Sequence, residues 1–187
     1  YLFLEILTPI LFVFNLYSYP IFSDYLLVNL LGINILTFYF LLISYIDFET
    51  YKIPNMLILI GSITGLTFTI ISKSLSPIDN AFLGFLNHLF SGLLGFFLLE
   101  FIVFLIALVI HKNAFGMGDS KYLFLLGSWL GIKGMLLSLL LAIYIGGTMT
   151  LLLLLLAKIK IGQKIPFGPF LSIGGYLVCF YGEGFWI

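Results

Sequence analysis

Phe115-Gly116-Met117-Gly118-Asp119-Ser120-Lys121 lies between two long apolar runs in a chain that carries almost no charge. An ionisable group at the boundary of a membrane segment is expensive to place and marks a candidate functional site. Here two glycines flank the carboxylate. They allow positive φ and leave the backbone bare, so that another chain can approach closely. A second carboxylate, Asp47, closes an earlier apolar run in Tyr45-Ile46-Asp47-Phe48-Glu49. The chain thus holds two aspartates at the ends of two different spans, one of them beside a glycine-rich turn. The remaining sequence reads as the frame that brings them together.

Composition sets the class. The 187 residues are 62% hydrophobic and 9% charged, with a mean hydropathy of +1.22, whereas a soluble domain carries roughly 25% charged residues. So much apolar surface cannot be buried in one aqueous core of this size, and the expected fold is all-α, a polytopic transmembrane helical bundle. Zero net charge argues against nucleic acid as a partner. A single cysteine, Cys179, excludes a disulfide framework and a cysteine-rich zinc site. His88 and His111 are too few and too far apart for a metal cage, and no cofactor is expected. The chain begins at Tyr1, as a trimmed or processed product would. The first run lacks the basic segment and small-residue cleavage site of a signal peptide.

A helical span needs about 20 apolar residues. The candidates are Leu2 to Tyr17, Tyr25 to Ile46, Met56 to Ser72, Phe82 to Ile110, a short run from Tyr122 to Leu130, Gly134 to Ala157, and Phe167 to Tyr181. The count is six or seven. Phe48 to Asn55 and His111 to Asp119 read as loops, and Pro54 suits a first-turn position in the span that follows it. Gly61 with Gly65, and Gly127 with Gly131, have the small-xxx-small spacing that lets helices pack closely. With seven spans, Lys52, Lys112, Lys121, Lys158, Lys160 and Lys164 fall on one side, and only Lys73 and Lys133 on the other. The positive-inside rule makes the first side cytoplasmic. Asp47 and Asp119 both lie on it.

Two carboxylates can hydrolyse a peptide bond by sharing one proton. The ionised group takes a proton from water while the neutral one donates toward the carbonyl oxygen. Like charges roughly 3 Å apart cannot both ionise, so the pair holds a single proton at working pH. The blander reading makes each aspartate an interfacial loop residue, with the glycines serving a type II turn.

Gly116-Met117-Gly118-Asp119-Ser120-Lys121 resembles the GxGD-x-Lys motif of the prepilin leader peptidases, a class of membrane aspartic proteases. Their first aspartate opens a short loop ending in Pro-Asp or Pro-Asn, as Asp47 to Pro54-Asn55 does here. Leu126-Gly127-Ser128-Trp129-Leu130-Gly131 and Ile165-Pro166-Phe167-Gly168-Pro169-Phe170-Leu171 are also similar to stretches of that family, so the resemblance covers Asp47 to the C-terminus. It implies a catalytic pair of Asp47 and Asp119, with Gly116, Gly118 and Lys121 shaping the site and no metal. It further implies cleavage of the short basic leader of type IV prepilins or pseudopilins after a glycine, in a prokaryotic inner membrane at its cytoplasmic side. Residues 1–187 are then expected to form a single membrane peptidase domain. Tyr1 to Thr8 is similar to the start of the span that follows a cytoplasmic Cys-rich segment in bifunctional members, which also N-methylate. That segment was either lost by trimming or belongs to another branch, and methylation is not claimed.

Other features read blandly. Glu100, inside a span, is expected to be a helix-packing acid. His88 is expected at the interface, and Glu49 is kept as a loop residue, two positions from Asp47. The lysines at 158, 160 and 164 report topology or attract anionic lipid. Three rival readings are a presenilin-like protease, whose Pro-Ala-Leu motif is absent, a small proton- or ion-coupled transporter using Asp47, Glu100 and Asp119, and a non-catalytic scaffold.

Overall fold

In hydrocarbon the apolar runs can satisfy their own backbone by becoming helices. The computed structural model describes residues 2–18, 26–75, 80–110, 116–160 and 163–181. Among these residues are six helices: α1 (Leu2–Ser18), α2 (Leu26–Thr50), α3 (Asn55–Leu75), α4 (Ala81–Ile110), α5 (Met117–Leu155) and α6 (Gly168–Tyr181). The four from α2 to α5 are long and apolar enough to cross a membrane. The protein is a transmembrane helical bundle, as its composition requires.

Two boundaries differ from the sequence reading. α2 continues past Asp47 to Thr50, where Tyr51 at φ 54° ends it and donates its amide to the Asp47 carbonyl at 2.9 Å. α5 begins at Met117, so Gly118 and Asp119 belong to its first turn and not to a loop. Pro54 sits one residue ahead of α3, where its carbonyl accepts from the Leu57 and Ile58 amides. His111 and Lys112 lie outside the described residues.

The 39 residues of α5 would make a straight rod of about 58 Å, nearly twice the ~30 Å of a bilayer core. The helix instead breaks at Gly131, with φ 67° and ψ −175°, a conformation open essentially to glycine. The two limbs, 117–130 and 132–155, fold back on each other. A Cβ built on Gly95 of α4 would lie 3.0 Å from Met135 Sδ and 3.2 Å from the Leu123 carbonyl oxygen. In one straight helix those two residues would be about 18 Å apart. His88 steadies the break. It is half-buried and its Nδ1 donates to the Ser128 carbonyl at 3.2 Å, in the turn where broken helices leave carbonyls without helical donors. His88 thus has a packing task at the turn, in addition to the interfacial position read from the sequence.

The first limb of α5 is the axis of the bundle. It meets α4 where Gly127 lies so close to Gly92 that an added Cβ would stand 2.6 Å from the Gly92 nitrogen. It meets α3 through Trp129, whose Nε1 donates to the Gly61 carbonyl at 2.8 Å and whose ring stacks on Phe68 at 5.4 Å. α6 lies against both limbs and α2: Gly174 touches Ser138 of the second limb, and Gly175 touches Phe40 and Leu126. α1 is attached by Asn15, which is fully buried. Its Nδ2 donates to Asn34 Oδ1 and Thr37 Oγ1, and its Oδ1 accepts from the Tyr176 hydroxyl at 2.9 Å.

Candidate active site

Contacts fix the level at which each helix crosses the others. Gly175 meets Phe40 and Leu126. Ser172 is bonded to Ser44 and Tyr122 one turn nearer one face of the bundle. Another turn on, Gly168 is bonded to Asp47. Counting three residues from Tyr122, almost one turn, puts Asp119 at that same level. The two aspartates are 5% and 8% exposed and lie within electrostatic reach of each other.

The Asp47 carboxylate is held by a glycine amide at the start of a helix, where amides lack helical partners. Asp47 Oδ2 accepts from the Gly168 N–H at 2.8 Å. That approach needs glycine, because a Cβ on residue 168 would lie 2.7 Å from the same oxygen. Pro169 follows with no N–H to offer. At Asp119 the bond runs the other way: its own amide donates to the Gly116 carbonyl at 3.1 Å, closing the first turn of α5.

The flanking glycines are not required by positive φ. Gly116 caps α5 in extended conformation, φ −86° and ψ 147°, and among the described residues the one glycine at positive φ is Gly131. A Cβ on Gly116 would sit 4.0 Å from Asp119 Oδ2, and one on Gly118 would sit 3.4 Å from Ile53, both ordinary contact distances. Ile53 is buried and docks the short 51–54 connection on the first turn of α5. Lys121 joins the same two elements, its Nζ donating to Asn55 Oδ1 at 2.7 Å. The Pro-Asn pair and the GxGD-x-Lys stretch are thus in direct contact.

The other acids stand apart. Glu49 is exposed and accepts from the Tyr45 hydroxyl. Glu100 is half-buried on α4, which packs on the Leu123, Phe124 and Gly127 side of α5, away from α2 and α6. No group of three or more His, Cys, Asp or Glu among the described residues could hold a metal ion. Sequence reading did not single out Gly168, Ser172, Ser44 or Tyr122 as individuals. The Pro166-Phe167-Gly168-Pro169-Phe170 stretch was a signal for the first.

The geometry therefore offers two buried carboxylates, one of them on a glycine amide, at one end of a membrane bundle. The type IV leader peptidase family model matches residues 34–151, which includes both. Proteins named prepilin leader peptidase/N-methyltransferase are similar to this chain. That of Pseudomonas aeruginosa is 32% identical over 149 residues, 80% of this chain and 49% of its own. That of Pseudomonas putida is 31% identical over 148 residues, 79% of this chain and 49% of its own. That of Neisseria gonorrhoeae is 26% identical over 156 residues, 83% of this chain and 50% of its own. The chain spans about half the length of the curated relatives it matches. No solved structure matches it. With the family model covering well over half of the sequence, the chain belongs to the type IV leader peptidase family.

Proposed function

We propose that this chain is an aspartic endopeptidase that removes the short basic leader from type IV prepilins or pseudopilins, cutting after a glycine at the cytoplasmic face of a prokaryotic inner membrane. The observation that carries the reading is the meeting of Asp47 from the end of α2 with Asp119 from the start of α5, at one level and at low exposure. Family membership and the names of the relatives support the substrate class.

In this reading the pair shares one proton. The ionised carboxylate draws a proton from a water between the two, and the water oxygen bonds to the scissile carbonyl carbon. The neutral carboxylic acid meanwhile donates to the carbonyl oxygen. Collapse of the tetrahedral adduct breaks the C–N bond: the leaving nitrogen takes up the proton gained from water, the other carboxylate takes back a hydroxyl proton, and a carboxylic acid and an amine leave the restored one-proton pair. The bare backbone at Gly116 leaves space beside Asp119 for the substrate chain. Lys121 acts by tying the Asp119 turn to α3 through Asn55. The cytoplasmic placement rests on the lysine distribution.

The test is a cleavage assay in membranes, with a prepilin-like substrate whose basic leader ends in glycine. Asp47→Asn and Asp119→Asn are each expected to lose at least about a hundredfold in rate, while Glu49→Gln stays near wild type. Normal cleavage by Asp47→Asn would remove it from the pair.

A further inference from the structure

One turn beneath the aspartates, three helices are joined through a single hydroxyl. Ser172 Oγ of α6 lies 2.6 Å from Ser44 Oγ of α2 and 2.7 Å from the Tyr122 hydroxyl of α5. It also reaches the Gly168 carbonyl at 3.0 Å and the Phe40 carbonyl at 3.2 Å. The proton directions follow from the partners. Ser44 donates to Ser172; carbonyls can only accept, so with the Ser172 proton on one of them Tyr122 donates into the remaining lone pair. Ser172 is 5% exposed and Tyr122 fully buried, so these directions cannot be scrambled cheaply by water.

The spacing ties this knot to the pair. Ser44 precedes Asp47 by three residues, Tyr122 follows Asp119 by three, and Ser172 follows Gly168 by four. Each therefore lies on the same helix face as the group above it. The Asp47 carboxylate lies within electrostatic reach of Asp119 and Tyr122 of α5, while α6 offers it the Gly168 amide. Resting on the peptidase reading for its catalytic meaning, we infer that Ser172 is a positioning residue: through Ser44 and Tyr122 it sets the distance between Asp47 and Asp119, and through α6 it sets where the Gly168 amide stands. Ser138 is a contrast. It is equally buried, but its hydroxyl bonds its own helix at the Gly134 carbonyl and joins nothing.

Two readouts test this, one of them independent of cleavage. In the cleavage assay, Ser172→Ala, Tyr122→Phe and their double variant are expected to lower kcat by a similar factor of about ten with KM unchanged, because both break one hub and do not add. Ser138→Ala should leave kcat as it is. Separately, Asp47→Cys and Asp119→Cys are combined in a Cys179→Ser background and joined with a short bifunctional thiol reagent. Adding Ser172→Ala should slow that cross-link several-fold, and adding Ser138→Ala should not. A cross-linking rate indifferent to Ser172→Ala, or a kcat loss no larger than that of Ser138→Ala, overturns the inference. If the wild type cuts no leader while the cross-link still responds to Ser172→Ala, the peptidase reading fails and the spacing role stands.

Discussion

Tyr51 and Gly131 both stand at positive φ, 54° and 67°, and substitutions there should move stability in opposite directions. Tyr51 is a side-chain-bearing residue in the left-handed region, at a cost of about 1 kcal/mol, and it is exposed. Tyr51→Gly should raise the unfolding free energy by up to about that amount. Gly131→Ala meets no clash, since the nearest side-chain atoms, those of His88, are at an ordinary contact distance of 3.7 Å from the new Cβ. Its backbone conformation alone should cost about 1–3 kcal/mol. Thermal unfolding of the two variants in detergent checks both signs. Residue identity made Asp47, Asp119 and Lys121 legible, because ionisable groups are rare in apolar spans. It did not reveal Ser172. Serines in membrane helices commonly bond back to their own helix, as Ser62, Ser128 and Ser138 do here. Nothing local distinguishes the one that also joins two neighbours. Of the two reasons expected for the motif glycines, positive φ is not used at Gly116 or Gly118, and the closest approach in the site is at Gly168, which sequence reading named only within its stretch.

At the scale of elements, the contact between α4 and the first limb of α5 is made backbone to backbone. A Cβ on Gly127 would meet the Gly92 nitrogen at 2.6 Å and its Cα at 2.7 Å, and no rotamer change relieves a clash with main chain. Gly127→Ala should therefore separate the helices and leave little folded protein on size exclusion in detergent. Gly147→Ala, with nothing within 4 Å, should be tolerated and gain helix propensity of up to about 1 kcal/mol. The spacing of Gly127 pointed to helix packing, and for Gly127 that is its use. Gly131, its apparent partner in the same pattern, is the break in the helix, because a pattern of small residues does not say which of them bends. α1 is tied to α2 and α6 through Asn15, beside the Phe14–Phe180 ring contact. Asn15→Leu would leave Asn34, Thr37 and Tyr176 without the group that joins them, each bond being worth about 0.6 kcal/mol in a membrane. Amide exchange in α1 should rise while that in α5 holds. This network was invisible in the sequence, since its members come from three separated helices.

For the whole molecule, the hairpin in α5 decides which ends share a face. If residues 117–155 crossed once, Lys158, Lys160 and Lys164 would emerge opposite Lys52 and Lys121, and α6 would begin on the far side from the end of α2. The Gly168 amide could not then reach Asp47, yet the two are 2.8 Å apart. Folding back at Gly131 returns the chain to the face it left, and puts Lys133 beside the turn on the other face, with Lys73 at the end of α3. Lysine counting with seven spans assigned these sides because the charge bias is global and survives errors in individual boundaries. The break itself was readable only as a short fifth run. Single cysteines replacing Lys133 or Lys158, with Cys179→Ser, check this in spheroplasts using a membrane-impermeant maleimide. The cysteine at 133 should label from outside. The cysteine at 158, like one at 52, should label only after the membrane is opened. Labelling of 133 and 158 from the same side would mean that the two limbs do not form a membrane-crossing hairpin, and the meeting of Asp47, Gly168 and Asp119 would lose its basis.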